Sequence, residues 1–372
     1  MKLTIERTAL LKSLGHVQSV VERRNTLAIL SNVLLTAGPE GLSLNATDMD
    51  LEIVETAPAE VVGEGATTAP AHTLYDIVRK LPDGAQVELS FEPEDGQLTL
   101  RSGRSRFALA ALPAGEFPAM SSGAYGHTFS LAAGELRSLI DRTRFAISTE
   151  ETRYYLNGIF LHAADNGGVA VLRAVATDGH RLARVEMPLP EGAAGMPSVI
   201  VPRKAVAELR KLIDEADDDI TVSLSESRIR FAFGSATLTS KLIDGTFPDY
   251  ERVIPTDNDK LLEADCKLLH QAVDRVSAIS SEKSRAIKVS LEKGSLTLSA
   301  SSPEAGSAVE EIEAGYEGPP LEIGFNSRYL LDILQQVDGD AARFAIADNA
   351  SPTVVQDVAD QTAVYVLMPM RV

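Results

Sequence analysis

One pattern of segments recurs three times along these 372 residues, at a period of about 125, and that recurrence limits the chain to a repeat-built architecture. Each copy opens with a short strand running into an amphipathic helix, over 2–24, 128–148 and 261–280. In the first, Leu10, Leu14, Val17 and Val21 form one apolar stripe at helical spacing, while Lys12, His16, Ser19 and Arg23 gather on a second face, read as wet. Alternating, strand-like residues follow over 32–54, 156–185 and 287–312, turning at corners of Asn-Gly, Asp-Gly or Pro chemistry. A second helix comes next, over 73–82, 203–214 and 326–337, and more strands close the copy. Strand, helix, strands, twice per domain and six times per chain, predicts an α+β protein of three alike domains at 1–124, 125–257 and 258–372. Tight turns between strands favour antiparallel sheets with helices segregated to one face. A chain this long also exceeds one ordinary core.

The formal charge of −18 argues at first against a nucleic-acid partner, because proteins that grip phosphate carry a basic balance. The charge is sorted by element, however. The six helical segments together carry +7, which leaves −25 for the rest of the chain. Modestly basic helices within an acidic shell suit a protein that surrounds a polyanion without gripping it. Screening over ~8 Å at physiological salt weakens contacts held at a distance, and phosphate contacts carry no sequence information. Lys and Arg placed on helices for solubility alone would give the same count.

Other classes find little support. The N-terminal Met-Lys-Leu-Thr-Ile-Glu-Arg has charges where a secretory leader needs its apolar core, and no apolar run nears the ~18 residues of a membrane span, so a cytoplasmic location is expected. The single cysteine, Cys266, permits no intrachain disulfide and no cysteine-based metal cluster. Asp178 and His180 could pass for the acid and base of a hydrolase. Ala46-Thr-Asp-Met-Asp50 fills the matching corner of the first copy with no histidine, which reads as turn chemistry. No Gly-rich phosphate loop, His-Glu-x-x-His or serine nucleophile elbow occurs. The histidines never fall at metal-ligand spacing, and Asp217-Asp-Asp219 reads as a solvated loop. No catalytic residue, metal or cofactor is expected.

Specific strings carry a family resemblance. Arg153-Tyr-Tyr-Leu-Asn-Gly158, Ala176-Thr-Asp-Gly-His-Arg-Leu182, Val201-Pro-Arg-Lys204, Thr246-Phe-Pro-Asp-Tyr250 and the terminal Met368-Pro-Met-Arg-Val372 resemble signature segments of bacterial DNA sliding clamps, the beta subunits of the replicative DNA polymerase. Ser102-Gly-Arg-Ser-Arg-Phe107 and Gly324-Phe-Asn326 do the same, and the match is collinear from end to end. The resemblance implies three domains of one fold, with antiparallel sheets outside and two helices per domain lining a ring closed by a head-to-tail homodimer. It implies a non-catalytic processivity factor on double-stranded DNA, without sequence specificity. Its implied clients are the replicative polymerase catalytic subunit, the clamp loader, translesion polymerases, mismatch repair proteins and ligase, all held through linear motifs.

Residue roles follow from the same resemblance. DNA contact falls to Arg24, Arg79, Tyr154, Tyr155, Arg203, Lys204 and Lys211; Lys and Arg meet phosphate, and tyrosines stack on unpaired bases. Glu150 stands where relatives carry neutral or basic residues and is expected to weaken DNA contact there. A peptide pocket between the second and third domains falls to Leu156, Thr177, Gly179, His180, Arg181, Leu182, Pro248, Arg252, Val253, Asn326, Tyr329, Val366, Met368, Pro369, Met370 and Arg371. Small apolar grooves with a few polar groups suit the anchors of a linear motif. Ser284 and Ala350 replace larger apolar residues expected near that pocket. Phe107 and Leu109 of the first domain are expected to meet Ala278 and Ile279 of a second chain's third domain, covering edge strands. A monomeric peptide-binding hub that never encircles DNA is the competing reading, and the −18 charge speaks for it.

Overall fold

The computed structural model describes residues 1–118, 120, 123–215, 219–281 and 285–372. The first copy runs β1 (Lys2–Glu6), α1 (Arg7–Gln18), β2 (Asn32–Gly38), β3 (Gly41–Thr47), β4 (Leu51–Ala57), β5 (Glu60–Gly63), β6 (Gly65–Pro70), α2 (Ala71–Lys80), β7 (Gln86–Glu92), β8 (Gln97–Ser102) and β9 (Ser105–Ala110). The second runs β10 (His127–Leu131), α3 (Ala133–Asp141), β11 (Gly158–Asn166), β12 (Val169–Thr177), β13 (Arg181–Pro188), β14 (Val199–Pro202), α4 (Arg203–Ile213), β15 (Ile220–Leu224), β16 (Arg228–Phe233) and β17 (Ala236–Lys241). The third runs β18 (Lys260–Asp265), α5 (Cys266–Ser277), β19 (Ala286–Glu292), β20 (Ser295–Ser302), β21 (Gly306–Glu313), β22 (Gly315–Tyr316), β23 (Leu321–Asn326), α6 (Ser327–Leu334), β24 (Ala341–Ile346), β25 (Thr353–Asp357) and β26 (Ala363–Leu367).

Three helices, α1, α5 and α6, start where a strand ends on a residue able to cap. Glu6 accepts from the N–H groups of Thr8 and Ala9, Asp265 from Leu268, and Asn326 from Arg328 and Tyr329. The apolar stripe of α1 is fully buried at Leu10, Leu14 and Val17. α1 and α3 stop well short of their sequence pattern. After Gln18 the chain tightens into i→i+3 bonds at Val20 and Val21. In the second copy the Thr143 hydroxyl donates back to the Leu139 carbonyl at 2.5 Å, and a 3₁₀ turn (Arg144–Ala146) replaces further helix.

The fold packs as two compact units that do not coincide with the copies, the second copy contributing to both. The first unit (1–137, 190–197 and 204–242) holds the sheets β5-β1-β7-β8-β9 and β10-β15-β16-β17-β4-β3-β2-β6. The second (138–189, 198–203 and 243–372) holds β14-β11-β12-β13-β26-β25-β24-β18-β22 and β21-β20-β19-β23. Every strand pair is antiparallel.

Inside each large sheet two copies are joined by one strand pair. β4 pairs with β17, Leu51 opposite Ser240 and Glu55 opposite Ala236. β13 pairs with β26, Arg181 opposite Leu367 and Val185 opposite Ala363. The joints are equivalent because the corners before β4 and β13 are built alike. Thr47 and Thr177 each donate a hydroxyl proton to the carbonyl four residues on, and accept from the N–H two residues on. Ser302, before β21, accepts from Glu304 N–H in the same way. The counterpart of β4 and β13 in the third copy is thus β21, and that of β17 and β26 in the first is β9. Both are sheet edges.

Candidate peptide pocket and nucleic-acid contacts

A cavity within the second unit has a volume of about 270 Å³ and a mostly apolar lining. Of its lining, Leu156, Leu182, Tyr250 and Val366 form the floor and belong to a buried apolar cluster with Val175, Ile200 and Phe247, contributed by β12, β13, β14, β26 and the loops after α3 and β17. Two rim residues, Val253 and Met368, keep large apolar side chains in solvent. A hydrophobic hollow with exposed apolar shoulders suits an apolar anchor of a docked segment.

The polar side of the cavity is rigid. Arg181 Nη1 donates to Asp332 Oδ2 at 2.5 Å, Nη2 to the Phe145 carbonyl at 2.5 Å and Nε to Asp178 Oδ2 at 3.2 Å. Its guanidinium also lies 4.3 Å from the centre of the Tyr329 ring. Asp178 Oδ1 accepts the N–H groups of His180 and Arg181, which is corner-building work; Asp48 does the same for Asp50 and Leu51 in the first copy. At the left-handed position of this corner Gly179 (φ +87°) brings its backbone to the lip, where a Cβ would meet Arg153 Nη1 at 2.6 Å. The first copy has Met49 there, at φ 82°. Arg153 is held in turn by a forked pair to Glu150, with distances of 2.8 and 2.6 Å, and this fork keeps the Glu150 carboxyl below its ordinary range.

Of the residues expected at the pocket, Leu156, Thr177, Gly179, Arg181, Leu182, Pro248, Val253, Val366 and Met368 line this one cavity. The others stand around it. His180 is exposed at the corner, Arg252 pairs with Asp249 at 2.7 Å, Tyr329 stacks on Arg181, and Asn326 caps α6. Pro369, Met370 and Arg371 run past the cavity: Met370 bridges to Gly324, where a Cβ would press against the Met370 carbonyl at 2.4 Å. Arg153, Tyr155, Asp249 and Tyr250 line the cavity as well, although the resemblance gave them no pocket role. All four sit inside the quoted signature strings, which was the available signal. Ala350 is exposed on the β24–β25 corner, outside the lining, and Ser284 lies outside the described residues, as do Asp217 and Asp218.

The expected DNA-contact residues fall into two groups. Arg24 and Arg203 are exposed, and Tyr154 is 52% exposed with its ring edge-on to Tyr155. Lys204 also braces its own chain. Its ammonium donates to Asp48 Oδ2 at 2.6 Å, to the Val20 carbonyl at 3.2 Å and to Glu22, and these partners raise its pKa against the opposing effect of burial. Arg79 pairs with Asp76 at 3.2 Å and Lys211 with Glu208 at 2.8 Å, both within their own helices. Tyr155 is half-buried and packs on the cavity floor. His16, read as part of a wet face, is enclosed between Glu55 and Glu215.

Repeated antiparallel α+β units joined edge to edge, with an apolar pocket beside one joint, define a repeat-built scaffold with a hollow that an apolar anchor could fill. Comparison with known proteins gives the scaffold its family. Family models for the DNA polymerase III beta subunit match in order: its N-terminal domain at residues 1–121, its central domain at 130–249 and its C-terminal domain at 251–371. The chain is 59% identical to the beta sliding clamp of Caulobacter vibrioides and 41% identical to that of Escherichia coli K12, each over all 372 residues and the whole of both chains. A crystal structure of the Caulobacter crescentus beta sliding clamp superposes with a TM-score of 0.98 at 59% identity, covering 100% of this chain and 99% of that one. A sliding clamp of Bartonella birtlesii bound to griselimycin superposes at 0.97 with 50% identity, covering both chains fully. The chain belongs to the DNA polymerase III beta subunit family, and its function is that of a DNA sliding clamp, the processivity factor of replication. Among the described residues no helix is long and apolar enough to cross a membrane.

Proposed function

We propose that two copies of this chain close head to tail around duplex DNA, with the pocket tethering the replicative polymerase, the clamp loader, translesion polymerases, mismatch repair proteins and ligase. The observation that carries the closure is the repeated joint. β4·β17 and β13·β26 use up two of three equivalent pairs, and the pair that continues the series is β21 with β9 of a second copy. Carrying the β4·β17 register onto it sets Ser105 opposite Glu310 and Phe107 opposite Ala308. Charge supports the match. β9 and its turn bring Arg104 and Arg106, while β21 brings Glu310, Glu311 and Glu313 and leaves Val309 72% exposed. Phe107 is half-buried and available to such a contact, Leu109 already packs within its own chain, and Ala278 and Ile279 directly follow α5, the helix behind β21.

The domain limits 1–124, 125–257 and 258–372 belong to this reading, since β10 and β18 open new copies at His127 and Lys260. DNA contact rests on Arg24, Arg203 and Tyr154 first, with Arg79, Lys204 and Lys211 partly neutralised by their own carboxylates. The protein acts without a catalytic group, in the cytoplasm where the chromosome is copied. Retention after loading tests the topology: the protein should stay on nicked circular DNA and leave when the circle is cut. Equal retention on linear and circular templates would sink the encircling mechanism.

A further inference from the structure

The pocket wall at 247–253 has little backbone structure to hold it. Its regular structure is one 3₁₀ turn (Tyr250–Val253), and side chains behind it do the anchoring. Phe247 stacks on Phe160 with centroids 4.7 Å apart and planes 3° from parallel. The Tyr250 hydroxyl, buried behind the cavity, meets two groups. Arg173 Nη1 donates to it at 3.3 Å and to Glu251 Oε1 at 2.6 Å, while Arg173 Nε donates to Glu186 Oε2 at 2.8 Å. His162 Nε2 lies 3.0 Å from the same hydroxyl, and His162 Nδ1 lies 3.1 Å from the Ala163 carbonyl.

The directions of these bonds follow from chemistry. A carbonyl only accepts, so His162 Nδ1 carries the proton, and in the neutral ring Nε2 is an acceptor. Burial, with the Arg173 charge acting in the same sense, depresses the His162 pKa and keeps the ring neutral. The chain of donation therefore runs one way: Arg173 N–H to the Tyr250 oxygen, Tyr250 O–H to His162 Nε2, His162 Nδ1–H to Ala163. We infer that Arg173 and His162 are positioning residues of the peptide pocket, acting through the Tyr250 hydroxyl to fix the 247–253 wall. This rests on the reading of the cavity as the peptide site.

Protonation would reverse one link. His162 Nε2 would become a donor, so the Tyr250 oxygen would face two donors while its own proton lost its acceptor. The groups facing His162 are Tyr250 and Glu251 from the turn, Arg173 from β12 and the Phe160 ring of its own strand, stacked at 4.6 Å. Glu251 favours the protonated ring, but its carboxylate is engaged by Arg173. The wall should loosen as pH falls through the depressed His162 pKa.

Calorimetric titration of the full chain with griselimycin, the ligand of the Bartonella relative, tests this between pH 8 and pH 5. The variants are Tyr250→Phe, which keeps the ring, His162→Gln, which cannot titrate, and Met368→Glu, which spoils the rim. Wild-type affinity should be level from pH 8 to 7 and fall roughly tenfold toward pH 5, while Tyr250→Phe should bind roughly five- to tenfold more weakly at pH 7.5 and show no further fall. His162→Gln should stay within about threefold of wild type and flat with pH. Tyr250→Phe with wild-type affinity and a wild-type pH profile, beside a Met368→Glu variant that has lost binding, overturns the positioning role and leaves the pocket standing. Undiminished binding by Met368→Glu overturns the pocket reading and the inference with it.

Discussion

The His16 imidazole is held between two carboxylates, with Nδ1 2.6 Å from Glu55 Oε2 and Nε2 3.0 Å from Glu215 Oε1. Ser13 donates to the other Glu55 oxygen at 2.9 Å, and Lys12 pairs with Glu215 at 2.8 Å. With an acceptor on each ring nitrogen, the ring satisfies both as an imidazolium. Burial works against that charge, but the bonds to Glu55 and Glu215 outweigh it and raise the His16 pKa. The site ties α1 and β4 of the first copy to the residues after α4 of the second, within one compact unit.

Stability against pH should report this charge. A folded-state pKa raised above the unfolded value of about 6.5 gives a contribution fully present below pH ~6.5 and lost as pH rises through the folded pKa. Hydrogen bonds to charged groups are worth about 2 kcal/mol. The His16→Gln variant should therefore melt about 2–4 °C below wild type at pH 6, and the gap should narrow toward pH 9. Thermal unfolding across that range decides it; an equal gap throughout would mean that His16 is bonded as a neutral ring.

The split among the DNA-contact candidates gives a second expectation. Lys204 holds Asp48 and Glu22, so Lys204→Ala should cost about 1 kcal/mol of stability once solvent screening is allowed for. Arg24→Ala and Arg203→Ala should leave stability unchanged and each reduce the salt slope of DNA binding by about one unit. Binding isotherms at several salt concentrations, beside melting curves, separate the two. A full-sized slope change for Lys204→Ala without destabilisation would show that its internal pairs open to reach phosphate.

The terminal segment carries a third. β26 ends at Leu367 and keeps its pairing with β13 and β25, whereas Met368 lines the cavity and Met370 bridges to Gly324. Deleting 368–372 should abolish capture of a polymerase-derived peptide in a fluorescence anisotropy assay and leave the sedimentation of the dimer unchanged. Undiminished capture would move the pocket elsewhere; a lost dimer would make the tail a structural element.

Much of this arrangement was legible in the sequence because it is periodic. The Thr47 and Thr177 corners, the helical stripe of Leu10, Leu14 and Val17, and the threefold order all repeat, and repetition averages out local ambiguity. The misreadings share a cause. His16 looks wet because its own helix presents it on a polar face, and only the fold brings Glu55 and Glu215, 39 and 199 residues away, onto its ring. The pair between Lys204 and Asp48 is hidden in the same way, its members 156 residues apart. Tyr250 and Asp249 gain their places from the turn after Pro248, which has no period to read.

Edge-strand charge gives the last expectation. In the register carried over from β4·β17, Glu311 faces Arg104 of a second chain, while Glu310 faces Ser105 on the other side of the sheet and pairs with Arg275 of its own chain at 2.5 Å. Rim pairs contribute little to affinity singly, but like charges brought together cost far more and set register. Arg104→Glu and Glu311→Arg should each weaken the dimer roughly tenfold or more in sedimentation equilibrium. The variant carrying both should recover most of the loss, because reversing both ends restores the attraction. Antiparallel backbone pairing along β9 and β21 would persist in every case, so a partial and charge-dependent effect is the signature sought. Additive loss in the double variant would break the register and require another edge to close the dimer.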